Sequence, residues 1–204
     1  MKNILASTTK QVFETRTLLQ SVHKLGSDGQ YERSLFERAA VSETCFLKLF
    51  IALEEFLEAS FIHYLVGKTS TKQWCPSKFA EPISVEHAQK MLIGTQRFVD
   101  WSTPNTVVKY AELYFSDGEP FKTPLLGSSS QLQSMKTVRN STAHLSSTTR
   151  AALDGLYSRW TGKPSSNVSA YDMLMAPKAS QGDTFYAESE HVVSAIVANI
   201  ANRS

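Results

Sequence analysis

The stretch CFLKLFIALEEFLEASFIHYLVG, residues 45–67, is the most apolar part of the chain. Its large apolar side chains recur in alternating steps of three and four residues, which is the period of an α-helix with one buried face. Those positions are Phe46, Phe50, Leu53, Leu57, Phe61 and Tyr64. Lysine, glutamate and histidine interrupt the stretch too often for a membrane span. It therefore predicts a core helix that ends at Gly67, and no membrane association is expected.

Weaker helical patterns recur along the rest of the chain. They predict helices over about 4–25, 85–93, 104–115 and 192–200, and a helical region over 128–160. Loops are predicted near 67–83, with Trp74 and Phe79 as anchors, and near 162–184. No segment alternates like a strand, and no repeat is visible. We expect an all-α fold, a single-domain helical bundle over residues 1–204.

Composition excludes several classes of protein. With 204 residues, 42% hydrophobic and 20% charged, the chain is typical of one globular domain, and a net charge of +2 does not by itself identify a nucleic-acid-binding protein. Cys45 and Cys75 are too few for a disulfide framework or a four-cysteine zinc site, so they are expected to be core thiols. The first residues do not read as a signal peptide. We expect a cytoplasmic protein without a metal or cofactor.

The stretch VRNSTAHLSSTTR, residues 138–150, lies in a part of the chain that concentrates positive charge. No aspartate or glutamate occurs over residues 120–153, whereas four cations do: Lys122, Lys136, Arg139 and Arg150. Local cations without neighbouring acids attract polyanions, so the pattern indicates a phosphate-binding surface to which Lys136 and Arg150 contribute. The alternative is a basic face that is simply solvated.

Arg139 and His144 supply the chemistry that RNA cleavage requires. A guanidinium holds a phosphate and stabilises charge that develops on its oxygens, and a histidine moves protons near neutral pH. On an unbroken helix the two side chains would stand about 140° apart. We therefore predict a distortion near Ser141 and Thr142, with a second helix that starts at Ser146 or Ser147.

The segment RNSTAH, residues 139–144, resembles the arginine, four to six residues, histidine motif of the HEPN superfamily. The segments ALEEFLEAS and FVDWSTPNTVVKYAELYFSDGEPF resemble its RiboL-PSP type. The resemblance implies a helical bundle that forms a homodimer, with two motif copies making one metal-independent endoribonuclease site. In it, Arg139 and His144 are catalytic and Asn140 is the supporting polar residue. The superfamily often adds a polar residue from an earlier helix, for which Glu54, at the edge of the apolar stripe, is the candidate.

The resemblance also frames the expected biology. It implies an RNA-cleaving toxin or antiphage defence effector. HEPN toxins that a nucleotidyltransferase silences carry a tyrosine two places after the histidine, and this chain has Ser146 there, so adenylylation at that place is not expected. Control would come from a separate antitoxin or regulatory protein, or from substrate access.

Two other functional classes remain open. One is a catalytically silent HEPN module that binds RNA or a nucleotide, or that pairs with another HEPN chain. The other is a purely structural helical protein. Further chemistry-bearing residues are expected to lack a catalytic role. They are the pair Arg16 and His23, the histidines His63 and His87, which are expected to be packed or solvated, and the tryptophans Trp74, Trp101 and Trp160, which are expected to be core anchors. Trp74 has base stacking as its alternative role.

Overall fold

The computed structural model describes residues 1–94, 99–143, 146–180 and 182–204. Within those ranges every regular element is helical, and β structure is limited to three isolated bridges. The all-α prediction is therefore confirmed. The helices are α1 (Lys2–Val22), α2 (Leu35–Leu65), α3 (Val85–Ile93), α4 (Pro104–Tyr114), α5 (Lys122–Gly127), α6 (Ser129–Ala143), α7 (Ser147–Thr161), α8 (Ala170–Met175) and α9 (Phe185–Ala201).

The long helix α2 begins ten residues before the apolar stretch that predicted it. Its start is a capping box: Glu37 N–H donates to Ser34 Oγ at 3.2 Å, and Ser34 N–H donates to Glu37 Oε2 at 2.9 Å. Its end follows the prediction, because Gly67 has a φ of 81° and its N–H donates to the carbonyl of Tyr64 at 2.9 Å. The next backbone N–H, that of Lys68, donates to the backbone carbonyl of His63 at 3.1 Å, which completes a Schellman motif.

The structure divides some of the other predicted elements into shorter helices. Helix α3 has the predicted bounds, and α4 begins at Pro104 as predicted. The helical region over 128–160 is two helices, α6 and α7, and the short helix α5 before it was not predicted. The 162–184 loop contains α8, which Ser169 and Asp172 start with a second capping box.

The described residues form two compact units. The first unit consists of Met1–Thr9, Ala52–Leu132 and Val193–Ser204. Its core is aromatic: Phe61 is fully buried, and its ring lies 4.9 Å from the rings of both Phe115 and Phe121 and 5.6 Å from that of Trp101. Each such ring pair adds about 0.5–1.5 kcal/mol to the stabilisation that burial provides. Trp101 is thus a core anchor, as expected.

The second unit consists of Lys10–Ile51 and Gln133–Val192. Its core includes Phe46 and Phe185, whose ring centroids are 6.2 Å apart, and Trp160, whose ring stands 5.2 Å from that of Phe185. The indole N–H of Trp160 donates to the carbonyl of Ala176 at 2.9 Å, so this tryptophan fastens the chain after α8 to α7. The prediction of Trp160 as a structural residue is confirmed.

Two loop predictions were wrong in detail. Phe79 was predicted as a side-chain anchor of the loop near 67–83, but it is 69% exposed. The backbone of Phe79 attaches the loop instead, because its N–H donates to the carbonyl of Tyr114 at 2.9 Å. Cys75, predicted as a core thiol, is exposed, whereas Cys45 is buried and burial raises the pKa of its thiol. In the described part of the chain, no helix combines the length and apolarity that crossing a membrane requires.

Candidate functional site

Arg139 and Asn140 lie in the last turns of α6, in the second unit, and both are half-buried. The inner face of this part of α6 consists of Met135, Val138 and Ser141, which are buried. Arg139 Nη1 donates to Asn140 Oδ1 at 3.3 Å. No carboxylate of the described chain lies within ion-pairing distance of Arg139, so its charge faces a neutral neighbour.

Two small hydroxyl residues of the motif bond to the same backbone carbonyl in the last turn of α6. Ser141 Oγ donates to the carbonyl of Val138 at 2.8 Å, and Thr142 Oγ1 donates to the same carbonyl at 2.9 Å. Side-chain hydroxyls that bond to carbonyls one turn back compete with the helix and tend to bend it. The helix continues through Ser141 and Thr142 to Ala143, so both residues stay helical.

Helix α7 begins at Ser147, as predicted. Ser146 is its N-cap: Ser146 Oγ accepts from Thr149 N–H at 3.2 Å, and Thr149 Oγ1 accepts from Ser146 N–H at 3.0 Å. The first turn of α7 carries no acid. Ser146 therefore has a structural role as the cap of α7.

His144 and Leu145, between the two helices, lie outside the described residues. The catalytic prediction for His144 therefore stays a prediction, as does its distance from Arg139. The described flanks are α6, whose bounds are Ser129–Ala143, and α7, which starts at Ser147.

The predicted phosphate-binding cations differ in their environments. Arg150 is exposed on α7, whereas Lys136 is half-buried on α6, one turn before Asn140, and already takes part in an interaction. Lys122, the fourth cation of the acid-free segment, belongs to the first unit, where Glu112 Oε1 lies 2.6 Å from its ammonium and raises its pKa. Lys122 is thus committed to a salt bridge.

Glu54 lies on α2 in the first unit, half-buried and engaged in an interaction, whereas Glu55 beside it is exposed. This agrees with its predicted position at the edge of the apolar stripe. Its predicted contact with the motif, which belongs to the second unit, stays a prediction.

The structure also assembles a polar cluster that the sequence analysis missed. Arg38 Nη1 donates to the Tyr171 hydroxyl at 3.0 Å, and that hydroxyl lies 3.4 Å from His23 Nε2. The Arg38 guanidinium also stacks on the Tyr31 ring, at 3.7 Å from its centroid. These residues come from the segment between α1 and α2, from α2 and from α8, so no local sequence pattern could have predicted their proximity.

The remaining histidines do not form a metal site. The ring of His63 packs in the first unit, where Nε2 lies 2.8 Å from the carbonyl of Thr69 and burial lowers the pKa of the imidazole. His87 is exposed, and its Nδ1 accepts from the N–H of Ile83 at 3.3 Å. Across the described ranges, no three histidine, cysteine or carboxylate side chains are grouped as metal ligands.

Comparisons with known proteins return no relative: no protein-family model, no curated protein and no solved structure matches the chain. The HEPN interpretation therefore depends on the residues of the motif and on their surroundings.

Proposed function

We propose that the protein is a metal-independent endoribonuclease of the HEPN type that acts as a toxin or defence effector. Arg139 and His144 are its catalytic residues, Asn140 positions the guanidinium, and Lys136 and Arg150 contribute to holding the RNA backbone. The observation that carries the proposal is the setting of Arg139: a half-buried guanidinium whose hydrogen-bond partner is a neutral amide, in a segment without acids.

The chemistry follows from those groups. The 2′-hydroxyl oxygen of a ribose attacks the adjacent phosphorus while a histidine takes its proton. The bond from phosphorus to the 5′-oxygen breaks, a second histidine protonates that oxygen, and a 2′,3′-cyclic phosphate remains. Arg139 stabilises the charge that develops on the phosphate oxygens.

A dimer supplies the second histidine. One imidazole cannot be base and acid in the same step, whereas His144 residues of two copies divide the roles. Activity per chain should therefore fall on dilution below the dissociation constant of the dimer, in parallel with the dimer fraction measured by sedimentation.

The decisive test is a cleavage assay on total and transfer RNA with EDTA present. We expect fragments with cyclic phosphate ends, and a loss of on the order of 10²-fold to 10⁴-fold for His144→Ala. The matched control is His191→Ala, because His191 is an exposed histidine on α9 and lies outside the motif. Equal cleavage by the native chain and His144→Ala would contradict the proposal.

A measurement of RNA binding beside the cleavage assay distinguishes the silent module from the nuclease. A silent module would bind RNA without cutting it, with an affinity that falls steeply with salt and with Arg139→Ala. Loss of RNA binding in Arg139→Ala together with no cleavage by the native protein would favour that alternative.

A further inference from the structure

A polar cavity of about 650 Å³ opens in the first unit, among residues of the proposed nuclease chain that the motif does not use. Its walls are the loop after α2, the segment from α5 to the start of α6, and the end of α9. The polar lining side chains are Lys72, Thr123, Ser128, Asn199, Asn202 and Arg203. Cavities of about 300–1,000 Å³ are typical of sites for small molecules.

The wall at the end of α9 is held in place by hydrogen bonds. The buried hydroxyl of Ser70 donates to the carbonyl of Arg203 at 2.7 Å, and it accepts from the N–H of Lys72 at 3.1 Å. Thr71 Oγ1 donates to Asn202 Oδ1 at 2.6 Å. Because the Asn202 oxygen is used in this way, the side-chain N–H donors of Asn202 remain for a ligand.

The two cations of the cavity are less committed than other cations of the same unit. Lys78 and Lys122 have carboxylate oxygens at 2.7 and 2.6 Å. The Lys72 ammonium, by contrast, has no ion-pair partner within the described ranges. The guanidinium of Arg203 forms a long ion pair with Glu119, at 4.0 Å, and lies 5.8 Å from the centre of the Trp74 ring, so neither contact uses a hydrogen bond of its N–H groups.

The lining favours an anion with several oxygen acceptors. It offers two cations, two amides and the hydroxyl of Ser128, and no aspartate or glutamate side chain is part of it, although the Thr123 hydroxyl already donates to Glu119. Ser204 also lines the cavity and is exposed. Guanidinium and ammonium groups together are the groups with which proteins hold phosphate.

We infer that this cavity binds a small phosphorylated molecule of about the size of a mononucleotide. Lys72 and Arg203 hold the phosphate, and Asn199 and Asn202 donate to the remainder of the ligand. The site lies entirely within the first unit and does not depend on the proposed nuclease activity.

The test is calorimetric titration of the full chain with AMP, and with adenosine as the uncharged comparison at the same ionic strength. AMP should bind at least about tenfold more tightly than adenosine, because each charged hydrogen bond to the phosphate is worth about that factor or more. Lys72→Glu should weaken AMP binding at least about tenfold, whereas Lys90→Glu, on the exposed face of α3, should change it by less than about twofold.

A second variant guards against effects on folding. Asn199→Asp is isosteric and exposed, so the chain should fold normally by circular dichroism while an amide donor to the ligand is replaced by an acid that repels an anion. It should weaken AMP binding about tenfold. The inference fails if AMP does not bind at about 10 mM, or if adenosine binds equally well. It also fails if AMP does not bind but a 5′-phosphorylated RNA does, with an affinity that Lys72→Glu lowers. The ligand of the site would then be the 5′ end of an RNA.

Discussion

The chain contains two arginine and histidine pairs, Arg16 with His23 and Arg139 with His144. The two arginines differ in their hydrogen-bond and ion-pair partners. Arg16 is paired with Glu190, whose side chain is only 6% exposed. Arg139 donates to the neutral amide of Asn140. An arginine that neutralises a buried carboxylate is bound to the fold, whereas an arginine with neutral neighbours keeps its charge for a ligand.

The histidine of the first pair is likewise occupied. His23 Nδ1 lies 3.0 Å from the carbonyl of Leu19, and its ring stacks on Tyr171 at 6.1 Å. With Nδ1–H donating to that carbonyl, Nε2 is left to accept from the Tyr171 hydroxyl. The pair of Arg16 on α1 and His23 just after it is therefore structural, as the sequence analysis expected, although its partners could not be named in advance.

The largest expected difference between the pairs concerns cleavage. Arg139→Ala should lower the rate of RNA cleavage on the order of 10²-fold to 10³-fold, as the loss of a group that stabilises developing charge usually does. Arg16→Ala should leave the rate per folded molecule unchanged. Cleavage rates of the two variants should be measured at equal folded fractions. Equal losses of activity in both variants would contradict the distinction between the two arginines.

The reverse ranking is expected for stability. Arg16→Ala should lower the free energy of unfolding by about 2–3 kcal/mol, because it leaves the buried carboxylate of Glu190 without its partner. Arg139→Ala should cost less than about 1 kcal/mol, since only a long hydrogen bond to Asn140 is lost. Urea unfolding of both variants measures this difference, and adding Glu190→Gln to Arg16→Ala should recover part of the loss.

A smaller effect is expected at the helix start beside the motif. Ser146→Ala removes the capping side chain of α7 and should cost about 1 kcal/mol in unfolding free energy. Ser147→Ala, at the exposed next position, serves as the control and should change it by less than about 0.5 kcal/mol. Equal losses for the two variants would show that the cap contributes nothing.

The smallest effect concerns Tyr186, which lies near Arg16. Burial raises the pKa of Tyr186 to about 12, while the nearby hydroxyl of Thr15 opposes the shift. Since the phenol is easier to ionise in the unfolded chain, it does not affect the pH dependence of stability below about pH 10, and it lowers the free energy of unfolding as the pH rises from about 10 toward 12. Tyr186→Phe should flatten the stability profile over that window.

At neutral pH the same variant should be nearly silent. The Tyr186 hydroxyl is buried and makes no hydrogen bond of normal geometry within the described chain. Removing it should change the free energy of unfolding by less than about 1 kcal/mol, and a gain would fit the removal of an unsatisfied polar group. A large loss would mean that the hydroxyl is bonded.

Much of the helical pattern was predictable because it is local. The spacing of Phe61 and Tyr64 predicted a buried face, Gly67 predicted the helix end, and Pro104 predicted a helix start. The short helices α5 and α8 escaped prediction because their six residues are too few to show a period. The early start of α2 had a readable signal, the spacing of Ser34 and Glu37, which marks a capping box.

In the candidate site, too, the local features could be predicted from the sequence and the contacts between distant residues could not. Arg139, Asn140 and the helix start at Ser147 follow from neighbouring residues, because caps and carbonyl bonds reach at most four positions. The pairing of Arg16 with Glu190 joins positions far apart in the chain, and so does the set that lines the cavity at Lys72 and Arg203. Such contacts arise when packed helices bring distant residues together, and spacing along the chain carries no record of them.

Residue order alone thus specified helices, caps and an acid-free arginine motif, since each depends on interactions within one or two helical turns. Which arginine is neutralised, which tyrosine is buried and which cations face a cavity were settled only in three dimensions. The physical reason is that desolvation and charge pairing depend on neighbours in space, and a chain of this composition offers many candidate partners for every charged group.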